Sequence, residues 1–283
     1  MEYLSNAYAD LLSVAEQNKE NYAQAKPFPS ISFPNVFNSE FLSAVVNEFP
    51  DLASGDAIQF NDAKQKKLAG KGEKRFGPRT KEFMHFLNSE PVLEFLQVLT
   101  GIEEKLIPDP YFYGGGLHEI KKGGLLKVHA DFNKHPVLKL DRRINLLVYL
   151  NKDWKEEYGG HFELWDTNME KCERKILPLF NTIAIFSTTD FSYHGHPNPL
   201  NCPDGRSRKS LALYYYTNGR PQHEINSGLE AHNTLFKARK GDEADKRAFE
   251  EPLEEKNVYG LKELVKDFTP PLAIKLIKKI IGK

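Results

Sequence analysis

The chain has 283 residues, and its 39 Lys and Arg residues balance its 39 Asp and Glu residues, so the formal net charge is zero. This balance argues against a strongly basic surface, and we expect no nucleic-acid partner. Two cysteines are too few for a disulfide framework, and the absence of a secretion signal or a long apolar run predicts a cytoplasmic protein without a transmembrane segment.

Helical patterns dominate the first hundred residues. Apolar residues recur at helical spacing within 1–25 and again within 80–100, where Gly101 closes the pattern. Between these segments another helix is expected to begin near Ser39, with Asn38 or Ser39 itself as the N-cap. We expect these helices to pack on one sheet of a β-domain.

A basic segment, residues 64–75, precedes the helix expected over 80–100. It is rich in lysine and contains two glycines. This composition predicts a solvated loop, and the alternative is a lid that closes over an acidic substrate.

The middle of the chain has a strand pattern. Largely apolar runs at 143–151, 179–186 and 211–216 are separated by segments rich in Gly, Pro and Asn. Many short strands with such turns are typical of a β-sandwich or β-barrel.

Three residues within this region form a candidate metal site. His129 and Asp131 are two residues apart, so on a strand their side chains point to the same face and can bind one ion. His194 must come from a distant strand that folds back beside them. Two imidazoles and one carboxylate on one face of a metal leave the opposite positions free, as in the facial triad of non-haem Fe(II) oxygenases.

Further motifs follow in a characteristic order. Together they resemble the Fe(II)- and 2-oxoglutarate-dependent dioxygenases, in particular the branch related to the prolyl 4-hydroxylase catalytic domain. The resemblance extends from about Pro27 to Arg220. The motifs are His129 and Asp131, the strand end Tyr149-Leu150-Asn151, the pair Gly159-Gly160, then His194 and Arg208.

The resemblance implies a mainly β fold with flanking helices around a double-stranded β-helix, or jelly roll. The implied jelly-roll domain covers residues 27–221. An N-terminal helix over 1–26 precedes it, and a C-terminal helical extension over 222–283 follows, with helices expected at 242–256 and 259–267.

The resemblance also implies the cofactors. His129, Asp131 and His194 would hold Fe(II), with no catalytic residue expected beyond these ligands. O₂ is the oxidant, and ascorbate is compatible as a reductant. The co-substrate 2-oxoglutarate would be held by Arg208, because a guanidinium matches a carboxylate bidentately. The other residues expected to contact 2-oxoglutarate are Ser210, Tyr149 and Asn145.

Three assignments stay open at this level. Arg206 shares a strand face with Arg208 and competes with it as the carboxylate anchor. His196 competes in the same way with His194, although an aromatic residue directly before His194 favours the latter. The prolyl hydroxylase branch often has a tyrosine nine residues before the first ligand, where this chain has Ile120.

The resulting functional prediction is an oxygenase that hydroxylates an unactivated C–H bond while 2-oxoglutarate is decarboxylated to succinate and CO₂. Because Asp131 is retained, hydroxylation is favoured over halogenation, in which a smaller residue makes room for chloride. The substrate stays open between a small molecule, a sugar or lipid intermediate and a peptidyl proline. The alternative is a cupin-like metal-binding jelly roll without 2-oxoglutarate turnover, which would not need Arg208.

The C-terminal tail, residues 272–283, combines a basic face with an aliphatic one. This pattern fits a contact with a membrane surface or a partner, but a terminal helix packed on the domain or on a dimer mate is favoured over that interpretation.

Overall fold

Two antiparallel sheets dominate the computed structural model, which describes residues 3–225 and 231–250. The major sheet has the strand order β1-β10-β7-β12-β5-β3-β2, and β4 pairs with β12 beside this path. Its strands are β1 (Ser30–Pro34), β2 (Ile58–Asn61), β3 (Lys66–Ala69), β4 (Ile107–Pro108), β5 (Gly116–Lys121), β7 (Asp141–Tyr149), β10 (Thr182–Ser187) and β12 (Ser207–Thr217).

The minor sheet has the order β13-β6-β11-β8-β9. It carries the strands that end at or contain the expected metal ligands. Its members are β6 (Leu126–Ala130), β8 (Phe162–Trp165), β9 (Cys172–Ile176), β11 (His194–His196) and β13 (Leu235–Phe236). The predicted jelly-roll architecture, mainly β with N-terminal helices, is confirmed.

Within the described residues four α-helices precede β4, and two short ones follow β12. They are α1 (Leu11–Ala23), α2 (Ser39–Asn47), α3 (Pro78–Leu87), α4 (Glu90–Thr100), α5 (Gln222–Ile225) and α6 (Glu243–Glu250). None of the helices in the described part of the chain has the length and apolar character needed to cross a membrane.

The helix boundaries follow local chemistry. The Asn38 side chain accepts hydrogen bonds from the backbone of Glu40 and Phe41, which identifies Asn38 as the N-cap of α2. At the other end of the helical region Gly101 adopts the left-handed conformation that terminates α4. The predicted helices are therefore present, although α3 and α4 are separated at Asn88 and Ser89.

The main core lies between the helices and the outer face of the major sheet. Because side chains alternate along a strand, β7 and β12 send every second residue into this core and the others toward the minor sheet. Both faces of these strands are covered, which explains their nearly continuous burial. Core residues on the outer face include Leu146, Val148, Leu211 and Leu213, packed with Leu42, Leu87 and Leu99 from the helices.

Two predictions about chain segments differ from the structure. The basic segment 64–75 is not an irregular loop, because it contains β3, which pairs with both β2 and β5. Within β3 Lys66 is exposed and Lys67 is half-buried, a difference that composition alone does not reveal. Residues 235–236, expected in a helical extension, form β13 and pair with β6 in the minor sheet.

Part of the C-terminal prediction lies outside the described residues. The helix expected at 242–256 corresponds in the described part to α6, which follows Asp242 and spans Glu243–Glu250. The helix expected at 259–267 and the tail at 272–283 are not among the residues that the structure describes.

Candidate metal centre

Strand pairing brings the distant histidine to the His-x-Asp motif. β6 and β11 are antiparallel neighbours, and His129 lies directly opposite His194 in their register. Asp131 follows the end of β6. Its Oδ1 lies 3.5 Å from Nε2 of His129, and its Oδ2 lies 3.3 Å from Nε2 of His194. One donor atom from each of the three buried residues lies within 4.8 Å of the other two.

A glycine makes this close pairing possible. A Cβ atom at Gly195 would lie 2.7 Å from the carbonyl oxygen of Leu126 and 3.0 Å from that of Lys127. These oxygens belong to the backbone of β6 and cannot move away independently of that strand. Only glycine therefore fits at position 195, where β11 lies against the backbone of β6.

Backbone carbonyls orient both imidazoles. Nδ1 of His129 donates to the carbonyl oxygen of Lys127, and Nδ1 of His194 donates to that of Ser192, each over 2.8 Å. A carbonyl can only accept, so each Nδ1 carries the proton and each Nε2 presents its lone pair to the centre. Burial, followed by the neighbouring His194, lowers the pKa of His129 and favours the neutral form that binds a metal.

The carboxylate of Asp131 is held by two side chains from β7. Its Oδ2 accepts from Arg142 over 3.0 Å and from Nδ2 of Asn145 over 2.7 Å. Burial alone would raise the pKa of Asp131, but the Arg142 guanidinium and His194 outweigh it and hold that pKa well below its usual value. The group therefore stays ionised, as a metal ligand must.

The donor set suits a divalent first-row metal. Two imidazoles and one carboxylate converge from one side, and the described part of the chain offers no fourth His, Cys, Asp or Glu to this group. Such a set leaves coordination positions for exogenous ligands, which is the arrangement of mononuclear non-haem Fe(II) sites. The residues present thus fit the metal that the sequence implied.

A pocket opens beside the three ligands, between the two sheets. Its walls combine apolar residues with a few polar and charged ones, as is usual for small-molecule sites. The apolar lining consists of Ile120, Leu126, Leu147, Phe162 and Phe186; the polar lining beyond the triad consists of Lys67, His118, Asn145, His196, Arg208, Ser210 and Tyr214.

Arg208 lies in this pocket, whereas Arg206 does not. The Nε of Arg208 donates to the carbonyl oxygen of Gly160 over 2.8 Å, and its guanidinium carbon lies 5.0 Å from the Tyr149 ring centroid. Arg206 is exposed and donates to the backbone carbonyls of Lys152 and Asp153. The Arg208 guanidinium thus lies in the pocket beside the Tyr149 ring, with its Nε fixed by the Gly160 carbonyl.

Gly160, from the glycine pair that the sequence singled out, makes room for Arg208. Its φ is +73°, and a Cβ there would lie 3.0 Å from Cδ of Arg208 and 2.6 Å from a methyl of Leu200. Gly160 thus makes room for the Arg208 side chain because it has a positive φ and no side chain. Its carbonyl oxygen also accepts the hydrogen bond from Nε of Arg208.

The other residues expected to contact 2-oxoglutarate have different surroundings. Ser210 lines the pocket two residues beyond Arg208. The hydroxyl of Tyr149 is buried without a hydrogen-bond partner, and burial raises the pKa of this phenol to about 12. Asn145 also lines the pocket, but its amide already contacts Asp131, Arg142 and Thr188, so it supports the metal ligand directly.

The structure separates the two histidines of β11. His194 joins the triad, and His196 lies further along the pocket, 4% exposed, with neither ring nitrogen hydrogen-bonded. An unpartnered buried polar group is costly unless a ligand satisfies it. His196 is therefore a candidate ligand contact rather than a second metal ligand.

Sequence reasoning missed Lys67 and Arg142. Lys67 lies in a segment whose charge predicted a loop, and no apolar alternation in the sequence indicated a strand there. Arg142 is almost fully buried, and its guanidinium carbon lies 3.4 Å from the Tyr214 ring centroid. An arginine at the start of an apolar strand was the only local indication.

Comparisons with known proteins agree with this geometry. The family model described as the 2OG-Fe(II) oxygenase superfamily matches residues 115–216, the segment that contains all three ligands and Arg208. No curated protein matches the sequence.

Solved structures are similar in fold at low sequence identity. A Pseudomonas putida prolyl 4-hydroxylase has a TM-score of 0.53 at 13% identity, covering 74% of this chain and 100% of that one. A Trichoplax adhaerens prolyl hydroxylase in complex with a hypoxia-inducible-factor peptide fragment has a TM-score of 0.56 at 16% identity, covering 79% and 96%. A prolyl 4-hydroxylase from Phytophthora capsici has a TM-score of 0.52 at 18% identity, covering 76% and 67%. At these identities the similarity concerns the fold alone.

Proposed function

Since the chain belongs to the 2OG-Fe(II) oxygenase superfamily, we propose that it hydroxylates an unactivated C–H bond of its substrate at the expense of 2-oxoglutarate and O₂. The balanced reaction inserts one oxygen atom into the C–H bond and places the other in succinate, with release of CO₂. The observation that carries this proposal is the convergence of His129, Asp131 and His194 on one point beside an accessible pocket.

The pocket also supports a place for 2-oxoglutarate. Arg208 stays charged even though burial lowers its pKa, so its guanidinium can hold the distal carboxylate bidentately. Ser210 stands beside it on the same strand face. The unpartnered Tyr149 hydroxyl and the His196 ring supply further polar groups near the arginine. A cupin-like protein without 2-oxoglutarate turnover would have no use for this cluster.

The metal ligands, their hydrogen-bond partners and Arg208 then each have a defined task. His129, His194 and Asp131 hold Fe(II), while Arg142 and Asn145 keep the carboxylate ionised and correctly oriented. Arg208 orients the co-substrate. When bound, Fe(II) and 2-oxoglutarate supply the activation of O₂ that the side chains themselves cannot provide.

The apolar wall has a protective task. Phe162 and Phe186 pack against the ring of His194, with centroids 5.4 Å and 4.6 Å away. They limit the access of water to the metal from the interior side of the barrel. Oxidation is thereby directed to the substrate that enters through the pocket.

The fold leaves several substrate classes open, including a small molecule, a sugar or lipid intermediate and a peptidyl proline. Prolyl hydroxylases are among the similar structures, and a proline-containing peptide is therefore one reasonable candidate for a screen based on succinate release.

The test of the proposal is spectroscopic. Fe(II) and 2-oxoglutarate are added anaerobically to the full chain, and a weak visible charge-transfer band is expected only when both are present. A spectrum that neither addition changes would contradict the enzyme assignment. The variant Arg208→Met should need far more 2-oxoglutarate to develop the band.

A further inference from the structure

The pocket contains a cation for which the proposed function has no task. This cation is Lys67 of β3, which lines the pocket together with the metal ligands and Arg208. The preceding residue, Lys66, is exposed, as expected from the alternation of side chains along a strand.

Backbone hydrogen bonds hold Lys67 beside the metal-binding strand. The amide of Lys66 donates to the carbonyl of Leu125, and the amide of Lys127 donates to the carbonyl of Lys64, each over 2.8 Å. On its other edge, β3 pairs with β2, and Phe60 of β2 lies opposite Lys67. The lysine is thus part of a paired strand, and its position does not depend on a loop.

Lys67 has no anionic partner among the residues that the structure describes. Its ammonium nitrogen lies 4.9 Å from the Phe60 ring centroid, and no hydrogen bond or ion pair to described residues accompanies this contact. Desolvation lowers the pKa of Lys67 to about 8, although Asp131 acts in the opposite direction. A desolvated cation of this kind is stabilised by any anion that reaches it.

The charges around the pocket favour an anion. Asp131 is the one carboxylate among the described lining residues, and Arg142 already pairs with it. A divalent metal and the 2-oxoglutarate dianion would cancel each other. The positive charges of Arg208 and Lys67 then remain in excess, so the loaded site should attract a further negative group.

The two cations stand on different strands of the major sheet. Arg208 and Lys67 belong to β12 and β3, which flank β5 on opposite sides. Two strand spacings place their backbones about 10 Å apart. One carboxylate held bidentately by Arg208 therefore leaves Lys67 available for a second anionic group.

We infer that Lys67 binds a carboxylate or phosphate group of the substrate, so that this enzyme acts on an acidic molecule. The inference rests on the proposed function, since it takes the Arg208 side of the pocket as the place of 2-oxoglutarate. His118 lies on the same inner face and donates through Nε2 to the carbonyl of Gly114, which leaves Lys67 as the charged member of this subsite.

The test uses two small anions as probes, inorganic phosphate and acetate. The full chain is loaded anaerobically with Co(II), a paramagnetic substitute for Fe(II), and with 2-oxoglutarate. Paramagnetic relaxation of the phosphate phosphorus and of the acetate carbons then reports binding near the metal. The variants are Lys67→Met, Lys67→Arg and, as the matched control on the other strand face, Lys66→Met.

We expect relaxation of at least one anion in the wild type, in Lys66→Met and in Lys67→Arg. In Lys67→Met the affinity should fall at least about tenfold, the loss expected for a charged hydrogen bond. Absence of relaxation for both anions in the wild type, or equal relaxation in Lys67→Met, overturns the inference.

The co-substrate provides the second readout in the same samples. Relaxation of the 2-oxoglutarate carbons should be unchanged in Lys67→Met. If it is lost there, Lys67 belongs to the co-substrate site, and the inference fails while the proposed function stands. If the wild type itself shows no 2-oxoglutarate relaxation, the proposed function fails.

Discussion

The two faces of the major sheet are built from alternate residues of the same strands, yet they differ in chemistry. On the outer face Leu146 and Leu213 pack into an apolar core with the helices. On the inner face Asn145 and Arg208 contribute to a pocket with charged and unpartnered polar groups. The outer face thus supplies stability, and the inner face can retain groups that are costly in the absence of a ligand.

This contrast explains why one strand can serve both tasks. β12 carries Arg208, Ser210 and Tyr214 toward the pocket, while Leu211 and Leu213 lie in the core. A change on one face should therefore alter ligand binding and leave stability nearly intact, and a change on the other face should do the reverse.

The largest effect is expected from removing a metal ligand. Loss of a residue that hydrogen-bonds to a metal ligand typically lowers metal affinity by roughly 10–100-fold. His129→Ala removes a ligand itself and should lower the affinity by more than that. Titration of Co(II) or anaerobic Fe(II) into the full chain measures this. His161→Ala is the control, because His161 pairs with Glu156 at the surface and lies outside the triad. Equal losses in both variants would refute the ligand assignment.

A deletion on the outer face should act on stability instead. Leu146 is 1% exposed within the main core, so Leu146→Ala should lower the free energy of unfolding by about 2–5 kcal/mol. Leu147 is the next residue and faces the partly exposed pocket, so Leu147→Ala should lower the free energy of unfolding by clearly less. Urea unfolding of both variants checks the comparison, and a larger cost for Leu147 would contradict the assignment of the faces.

On the inner face, Arg208→Met should weaken 2-oxoglutarate binding by roughly 10–100-fold, the loss of a charged hydrogen-bonded pair. Arg206→Met should have little effect, since Arg206 is exposed outside the pocket, where it contacts two backbone carbonyls and the Tyr158 ring. Anaerobic titration of the charge-transfer band measures both affinities. The opposite ranking would move the anchor to Arg206.

The smallest effect concerns a buried ion cluster at the edge of the minor sheet. Asp245 accepts from Lys127 over 2.7 Å and from Arg239 over 2.8 Å. Burial would raise the pKa of Asp245, but hydrogen bonds from Arg239 and Lys127 outweigh it and lower that pKa to about 2.

Because the folded-state pKa is below the unfolded value, Asp245 stabilises the fold above about pH 4, and this contribution is lost as the pH falls toward 2. Asp245→Asn should cost about 1–2 kcal/mol at pH 7, allowing for solvent screening, with a difference from wild type that shrinks in acid. Unfolding measured against pH tests this, with Asp204→Asn as an exposed control. A pH-independent difference would contradict the electrostatic origin.

Prediction from sequence was most successful where a local pattern carries the chemistry. The spacing of His129 and Asp131 placed both side chains on one face, and the structure brings them together with His194. Asn38 was recognisable as a cap from its residue type and position. The roles of Arg208 and Ser210 stay predictions, although both residues lie in the pocket.

Prediction from sequence failed for segments that form strands only through pairing with neighbouring strands. Lys67 belongs to a strand because β2, β5 and the backbone of β6 provide hydrogen-bond partners for a basic segment. Leu235 and Phe236 join the minor sheet for the same reason, and Phe236 lies opposite His129. Neither segment has an apolar alternation strong enough to indicate a strand by itself.

The amino-acid sequence by itself therefore determined the kind of chemistry, because ligand types and their two-residue spacing are local properties of the chain. Only the tertiary structure decided which strands are neighbours, and with that the register of His194 on His129 and the entry of Lys67 into the pocket. Strand pairing depends on burial and hydrogen bonding between segments far apart in the chain, and no local pattern encodes those partners.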